Sequence, residues 1–167
     1  MANNFEVSLP AQGWVIPSSG GCGRALWSTP MRPVLAFDDT TSEVCYSPPF
    51  RMPASYTGAG TLKADIEYAM LSATSGGVVF GVSVEAVTPG DALDLSGSAS
   101  FDTENTNSGT VPATAKYLQE ITVTLTNKDS VAAGDMVRLK LARKPADASD
   151  TATGDAYVLN VCVREEA

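Results

Sequence analysis

Residues 134–144, GDMVRLKLARK, gather Arg138, Lys140, Arg143 and Lys144, four of the eleven lysines and arginines in the chain. A cluster of this kind serves a nucleic-acid groove, internal ion pairing or a protein docking surface. Three other groups have the right chemistry for a site. Asp65 and Glu67 stand two residues apart and share one face of a strand, where a carboxylate pair could act on a glycosidic bond. The stretches 88–115 and 144–155 hold Asp91, Asp94, Asp102, Asp147, Asp150 and Asp155 among Ser, Thr and Gly, a calcium-loop composition without EF-hand spacing. Cys22, Cys45 and Cys162 are widely spaced and form no CxxC pair.

The chain has no histidine. That removes Ser-His-Asp and Cys-His nucleophilic machinery, HExxH metal centres and Cys/His zinc sites. Acid/base work would fall to carboxylates or lysine, and nothing around Asp65 and Glu67 predicts the burial that lifts a carboxyl pKa. The expectation is a non-catalytic protein with no cofactor and no metal. The Asp-rich stretches read as solvated loops, and the cysteines as small buried or half-buried thiols.

The elements that must position these groups are strands. Val137, Leu139 and Leu141 alternate with Arg138 and Lys140, the period of a strand with one face buried and one wet. The same alternation runs through 61–71 (Leu62, Ala64, Ile66, Tyr68, Met70), 76–87 (Val78, Phe80, Val82, Val84), 117–127 (Ile121, Val123, Leu125) and 155–165 (Tyr157, Leu159, Val161, Val163). VLAFDD at 34–39 and EVCYSPPFRM at 43–52 add two more, the latter with a Pro48-Pro49 pair that demands an edge or a bulge. No window carries a 3.6-residue stripe. Seven or eight strands with Gly/Asp/Pro/Ser turns predict an all-β antiparallel sandwich. Long strands, a long connection at 88–116 and no central Trp between two cysteines favour a jelly roll. The expected core includes Ile66, Tyr68, Phe80, Val82, Val84, Ile121, Val123, Leu125, Val137, Leu139, Leu141, Leu159 and Val161.

Residues 1–33 read differently. They hold Trp14, Trp27, SSGGCG and Pro10, Pro17, Pro30 and Pro33, which predicts an extended arm ahead of a sandwich domain at 34–167. An arm carrying Phe5, Val7, Leu9, Trp14, Val15, Ile16, Leu26 and Trp27 would need cover from another surface. Self-association is therefore expected.

The basic strand decides the partner class. Its wet-face companions are Asp65, Glu67, Glu120 and threonines, and the net charge is -8. A nucleic-acid groove needs a basic domain with interleaved aromatics, so no nucleic-acid partner is expected. Arg138, Lys140, Arg143 and Lys144, with Trp14 and Trp27, are candidate protein-interface residues. The cations would meet acidic strands of the same sandwich, or an adjoining subunit. Arg143 has core-face parity and should leave the sheet at a strand end. No apolar run reaches membrane-spanning length, and MANNFEVSLPAQG has no basic or apolar leader, so folding in a cytoplasm is expected. Aromatics are only 7% of the chain, with no row of rings on a strand face, which places a carbohydrate-binding module second.

Three segments, LAFDDTTSEVCYSPPFRMPASYTGAGTL, SATSGGVVFGVSVEAVTPGD and NKDSVAAGDMVRLKLARKPADASDTATGDAYVLNVCVRE, resemble jelly-roll decoration (cement) proteins of tailed bacteriophages. The resemblance implies a non-enzymatic virion component on the capsid surface, a homotrimer partnered by the major capsid protein and made in the host cytoplasm. Tail-fibre and head-fibre modules use the same sandwich, so a carbohydrate- or receptor-binding fibre module is the alternative.

Overall fold

Eleven strands and one turn of 3-10 helix make up the regular structure of the described residues, which in this computed structural model are 3–27, 29–97 and 99–167. Positions 1, 2 and 28 of the expected arm and 98 of the long connection lie outside them. The strands are β1 (Asn3–Pro10), β2 (Gly23–Trp27), β3 (Arg32–Phe37), β4 (Val44–Tyr46), β5 (Phe50–Arg51), β6 (Thr61–Met70), β7 (Gly77–Val87), β8 (Asn105–Thr110), β9 (Gln119–Thr124), β10 (Met136–Arg143) and β11 (Ala156–Glu166).

They form two antiparallel sheets. The front sheet has the order β2-β3-β11-β6-β9 with β1 also on β11, and the back sheet the order β4-β10-β7-β8 with β5 also on β10. The chain passes between sheets at β3–β4, β5–β6, β6–β7, β8–β9, β9–β10 and β10–β11, the crossing pattern of a jelly-roll sandwich. The two inner faces meet in one apolar cluster containing Phe37, Tyr68, Phe80, Ile66, Leu139 and Leu141. Phe80 packs edge-on against both Phe37 and Tyr68, at 5.8 and 5.7 Å between ring centroids.

Three expectations change. Residues 3–27 are not an arm. β1 pairs with β11 from Phe5↔Glu165 to Pro10↔Asn160, and β2 pairs with β3. Trp14 is buried and its Nε1 donates to the Leu9 carbonyl at 3.1 Å. Three of the prolines fall at or near the ends of these strands. Pro10 ends β1, Pro30 lies in the β2–β3 turn, and Pro33 lies ahead of Leu35, where β11 begins to pair with β3. With Phe5, Leu9 and Trp14 inside the fold, the free apolar arm that argued for self-association is gone.

Leu159 is not in the core. The ladder between β11 and β6 slips between Val158 and Asn160, so Val158 and Val161 both point inward while Tyr157 and Leu159 are only half-buried. A β-bulge inserts one residue and reverses the alternation on one side of it. Finally, the long connection contains β8, held to β7 by the Asn105 side chain, which donates to the carbonyls of Val82 (3.2 Å) and Asn127 (2.8 Å). The Pro48-Pro49 pair does interrupt the edge, separating β4 from β5. There the ladder continues through Ser47, whose N–H reaches the Leu139 carbonyl at 2.8 Å while its Oγ accepts from Leu139 N–H at 2.9 Å.

Candidate functional site

The two sheets differ in what covers their outer faces. On the back sheet Arg138 and Glu85 are directly paired across β10 and β7, and the Arg138 guanidinium meets the Glu85 carboxylate at 2.6 Å. The segment after β7 folds over them. Ser100 N–H donates to Glu85 at 2.9 Å and Asp102 N–H to the Val84 carbonyl at 2.8 Å. Phe101 then lies beneath Arg138 and Lys140, 5.4 and 5.7 Å from its ring centre, and against Tyr46. Lys144 pairs with Glu104 at 2.8 Å. The basic strand is neutralised inside the fold, by Glu85, Glu104 and Phe101 rather than by Asp65, Glu67 and Glu120, which belong to the front sheet.

Arg143 does not leave the sheet. It is fully buried and spends its donors on Asp150 and on the carbonyls of Phe37, Ala152 and Gly154. As interface candidates, Trp14 and Arg143 are both excluded by burial, and Trp27 lies on the opposite sheet from Arg138, Lys140 and Lys144. The six residues do not form one surface.

The other Asp-rich segment is likewise committed to local structure. Asp94 caps Ser96, Asp147 caps Ser149, and Asp102 accepts from Asp129 N–H. Those bonds hold the Asp94 carboxyl below the usual range, the Ser96 hydroxyl contributing most. Among the described residues no group of three or more His, Cys, Asp or Glu side chains converges as a metal site would. The thiols are all buried. Burial pushes Cys45 well above its ordinary value, with Cys22 as neighbour, and Cys162 up to about 12, so neither is a reactive thiolate.

The lower front face is also closed by its own charges. Arg164 pairs with Asp65 and Glu166, Lys63 with Glu166, and Thr122 donates to Asp65 at 2.6 Å. Burial and the charges of Asp65 and Glu67 raise the Glu120 carboxyl, with Arg164 opposing. Glu67 and Glu120 face each other directly across β6 and β9. This like-charge pair sits on the charged part of the face, with Asp65 and Arg164 as its neighbours.

The upper front face is different. Trp27 pairs with Arg32 at the β2–β3 turn, and Tyr157 lies in one row with Ala36 and Ala69. The bulge at Leu159 turns Tyr157 outward, where its ring packs against Trp27 with centroids 5.6 Å apart and planes 48° to one another. Small neighbours in that row leave the rings standing above the sheet. A groove of about 430 Å³ runs beside them, lined by Trp27, Thr29, Pro30, Arg32, Leu71 and Lys116. A second hollow of about 170 Å³ shares Trp27, Arg32 and Lys116 and continues over Ala69, Leu118 and Leu159 to Glu67. Leu118 and Met31 are exposed large apolar side chains nearby in the chain.

This is an apolar platform with an aromatic wall and polar groups on its rim, the composition of a small-ligand cleft. Sequence reasoning singled out Trp27 but missed Arg32, Lys116 and Tyr157. Tyr157 was unreadable because strict alternation assigns it to the core. Arg32 opens β3 and Lys116 lies in the connection ahead of β9, and no sequence spacing encodes their proximity.

No protein-family model and no curated protein matches the chain. Solved structures do match. The C-terminal CBM6 of LamC, a marine laminarinase from Zobellia galactanivorans, is 11% identical with a TM-score of 0.50 over 96% of this chain and 100% of its own. A carbohydrate-binding module of Cellvibrio mixtus lichenase 5A, in complex with cellotriose, is 12% identical, with a TM-score of 0.48 over 96% and 98%. The CBM22-1 xylan-binding domain of Paenibacillus barcinonensis Xyn10C is 10% identical, with a TM-score of 0.46 over 99% and 97%. At this level of identity the likeness to the laminarinase module establishes a common jelly-roll fold.

Proposed function

We propose that this chain is a non-catalytic carbohydrate-binding β-sandwich module whose sugar platform is the upper front face. The observation that carries the reading is the outward Trp27–Tyr157 pair beside a groove of about 430 Å³ on the upper front face. Pyranose rings present apolar C–H faces that stack on aromatic rings, while their hydroxyls hydrogen-bond to polar groups at the rim. Trp27 supplies the stacking face, Tyr157 buttresses it, and Thr29 and Glu67 offer hydroxyl partners. The jelly-roll fold shared with a laminarinase CBM6 supports the same class, and the shielding of the basic strand removes the surface on which a capsid-docking reading would draw.

The test is affinity electrophoresis and calorimetry against a panel of neutral and acidic polysaccharides, comparing wild type with Trp27→Ala. Binding to at least one glycan, lost in the variant with an unchanged melting temperature, is expected. No binding across the panel would sink the reading. The sequence resemblance to phage virion proteins adds the proposal that the module is carried on a tail or head fibre. A decoration role, with a trimer on the major capsid protein, rests on that resemblance alone.

A further inference from the structure

We infer that the groove selects acidic saccharides, with a carboxylate or sulfate held between Arg32 and Lys116; this rests on the carbohydrate-binding reading above. In a chain of net charge -8 five of the eleven cations are spent on carboxylates: Arg138 on Glu85, Arg143 on Asp150, Lys144 on Glu104, Arg164 on Asp65 and Lys63 on Glu166. The side chains of Arg32 and Lys116 belong to exposed residues and have no hydrogen-bond or ion-pair partner among the described residues. Both line both hollows on the upper front face, and Trp27 lines both with them.

The groups converge from separate parts of the fold. Arg32 opens β3 after the β2–β3 turn, and Lys116 lies ahead of β9, where its N–H donates to the Met70 carbonyl at 2.9 Å. A guanidinium presents a planar fork that matches a carboxylate or sulfate edge, and an ammonium adds a point charge. The one carboxylate on the lining, Glu67, borders only the smaller hollow. Its charge sets the polarity of the site: an anion is favoured at the Trp27 and Arg32 end, and neutral hydroxyls at the Leu159 end. A sugar stacked on Trp27 with its acidic substituent toward Arg32 and Lys116 meets both cations of the main groove.

The experiment pairs glycans that differ only in charge: oligogalacturonate against its methyl ester, and a sulfated galactan against its desulfated form. Whichever charged member binds identifies the acid, and it should bind at least about tenfold more tightly than its neutral counterpart, the worth of one charge-assisted hydrogen bond. Arg32→Gln and Lys116→Gln should each lower the ratio of charged to neutral binding several-fold and flatten its dependence on salt. Equal binding of both members in each pair overturns the charge selection and leaves the carbohydrate reading standing. Binding of the charged members that survives Trp27→Ala shows attraction by charge alone and overturns both. No binding of any of the four overturns both as well.

Discussion

Arg143 and Asp150 form a bidentate ion pair with no solvent access: Nε reaches Oδ2 at 3.1 Å, Nη2 reaches Oδ1 at 2.8 Å, and both side chains are essentially fully buried. The remaining guanidinium donors go to the carbonyls of Ala152 (2.7 Å), Gly154 (2.7 Å) and Phe37 (3.4 Å), while Asp150 also accepts from Val79 N–H at 3.0 Å. The pair ties the end of β10 to the β10–β11 loop and to β3 and β7. It is a knot between the two sheets.

Removing one partner leaves the other charge buried and unmatched. Arg143→Met should therefore cost about 3–5 kcal/mol. Asp150→Asn keeps the shape and should cost less than Arg143→Met, while Arg143→Lys loses the fork and three carbonyl contacts. Urea unfolding of the three variants checks the order. An Arg143→Met protein as stable as wild type would contradict the burial described here.

Tyr68 sits beside that knot with its hydroxyl buried and without a hydrogen-bond partner among the described residues. Burial pushes the hydroxyl up to about 12, with the Arg143 charge opposing. The ring is needed, since it packs on Phe80, but the oxygen has only desolvation to show. Tyr68→Phe should raise stability by about 1 kcal/mol, read as a higher melting temperature. A fall instead would reveal a polar partner for the hydroxyl.

The inner faces of β6, β7, β9 and β10 were legible because one face of each is buried throughout, so alternation alone identifies Ile66, Val82, Ile121 and Leu139. The failures came where a local device breaks the period. At β11 the bulge beside Leu159 sends Tyr157 outward, and no residue type there announces it. At the N-terminal end, prolines marked irregularity correctly but could not say that the strands between them close the front sheet. The candidate groove combines both failures, drawing Trp27 from the supposed arm, Tyr157 from the supposed core and Lys116 from a loop.

Acid should unfold the protein partly through Glu165. Its buried side chain accepts from Asn4 Nδ2 (2.7 Å), Thr57 N–H (2.9 Å), Thr57 Oγ1 (3.0 Å) and Gly60 N–H (3.2 Å). Burial raises this carboxyl, but the donors from Asn4, Thr57 and Gly60 outweigh it and hold the group at about 2, against an ordinary 4.5. The unfolded chain thus takes up the proton first as pH falls. Glu165 contributes fully above pH 4.5, and the contribution is lost as pH falls from there through about 2. Melting temperatures from pH 6 down to 2 should drop across that window. Glu165→Gln should start lower and drop less, and parallel curves would count against the assignment.

The last prediction concerns the basic strand. Arg138 is one-third exposed, but its partner Glu85 is 1% exposed, so this is not an exposed surface pair worth under 1 kcal/mol. Arg138→Thr would leave Glu85 buried with Ser100 N–H as its one remaining donor and should cost about 2 kcal/mol. Among the described residues the Lys140 side chain has only the Phe101 ring as partner, so Lys140→Thr should cost about 0.5 kcal/mol. The Arg138 effect should persist in high salt, because the acidic partner is shielded from the counterions that screen exposed pairs. Adding Glu85→Gln to Arg138→Thr should recover part of the loss by removing the stranded charge. Equal costs for the two single variants, or a loss that salt abolishes, would place Glu85 in solvent and open the back face again as a docking surface.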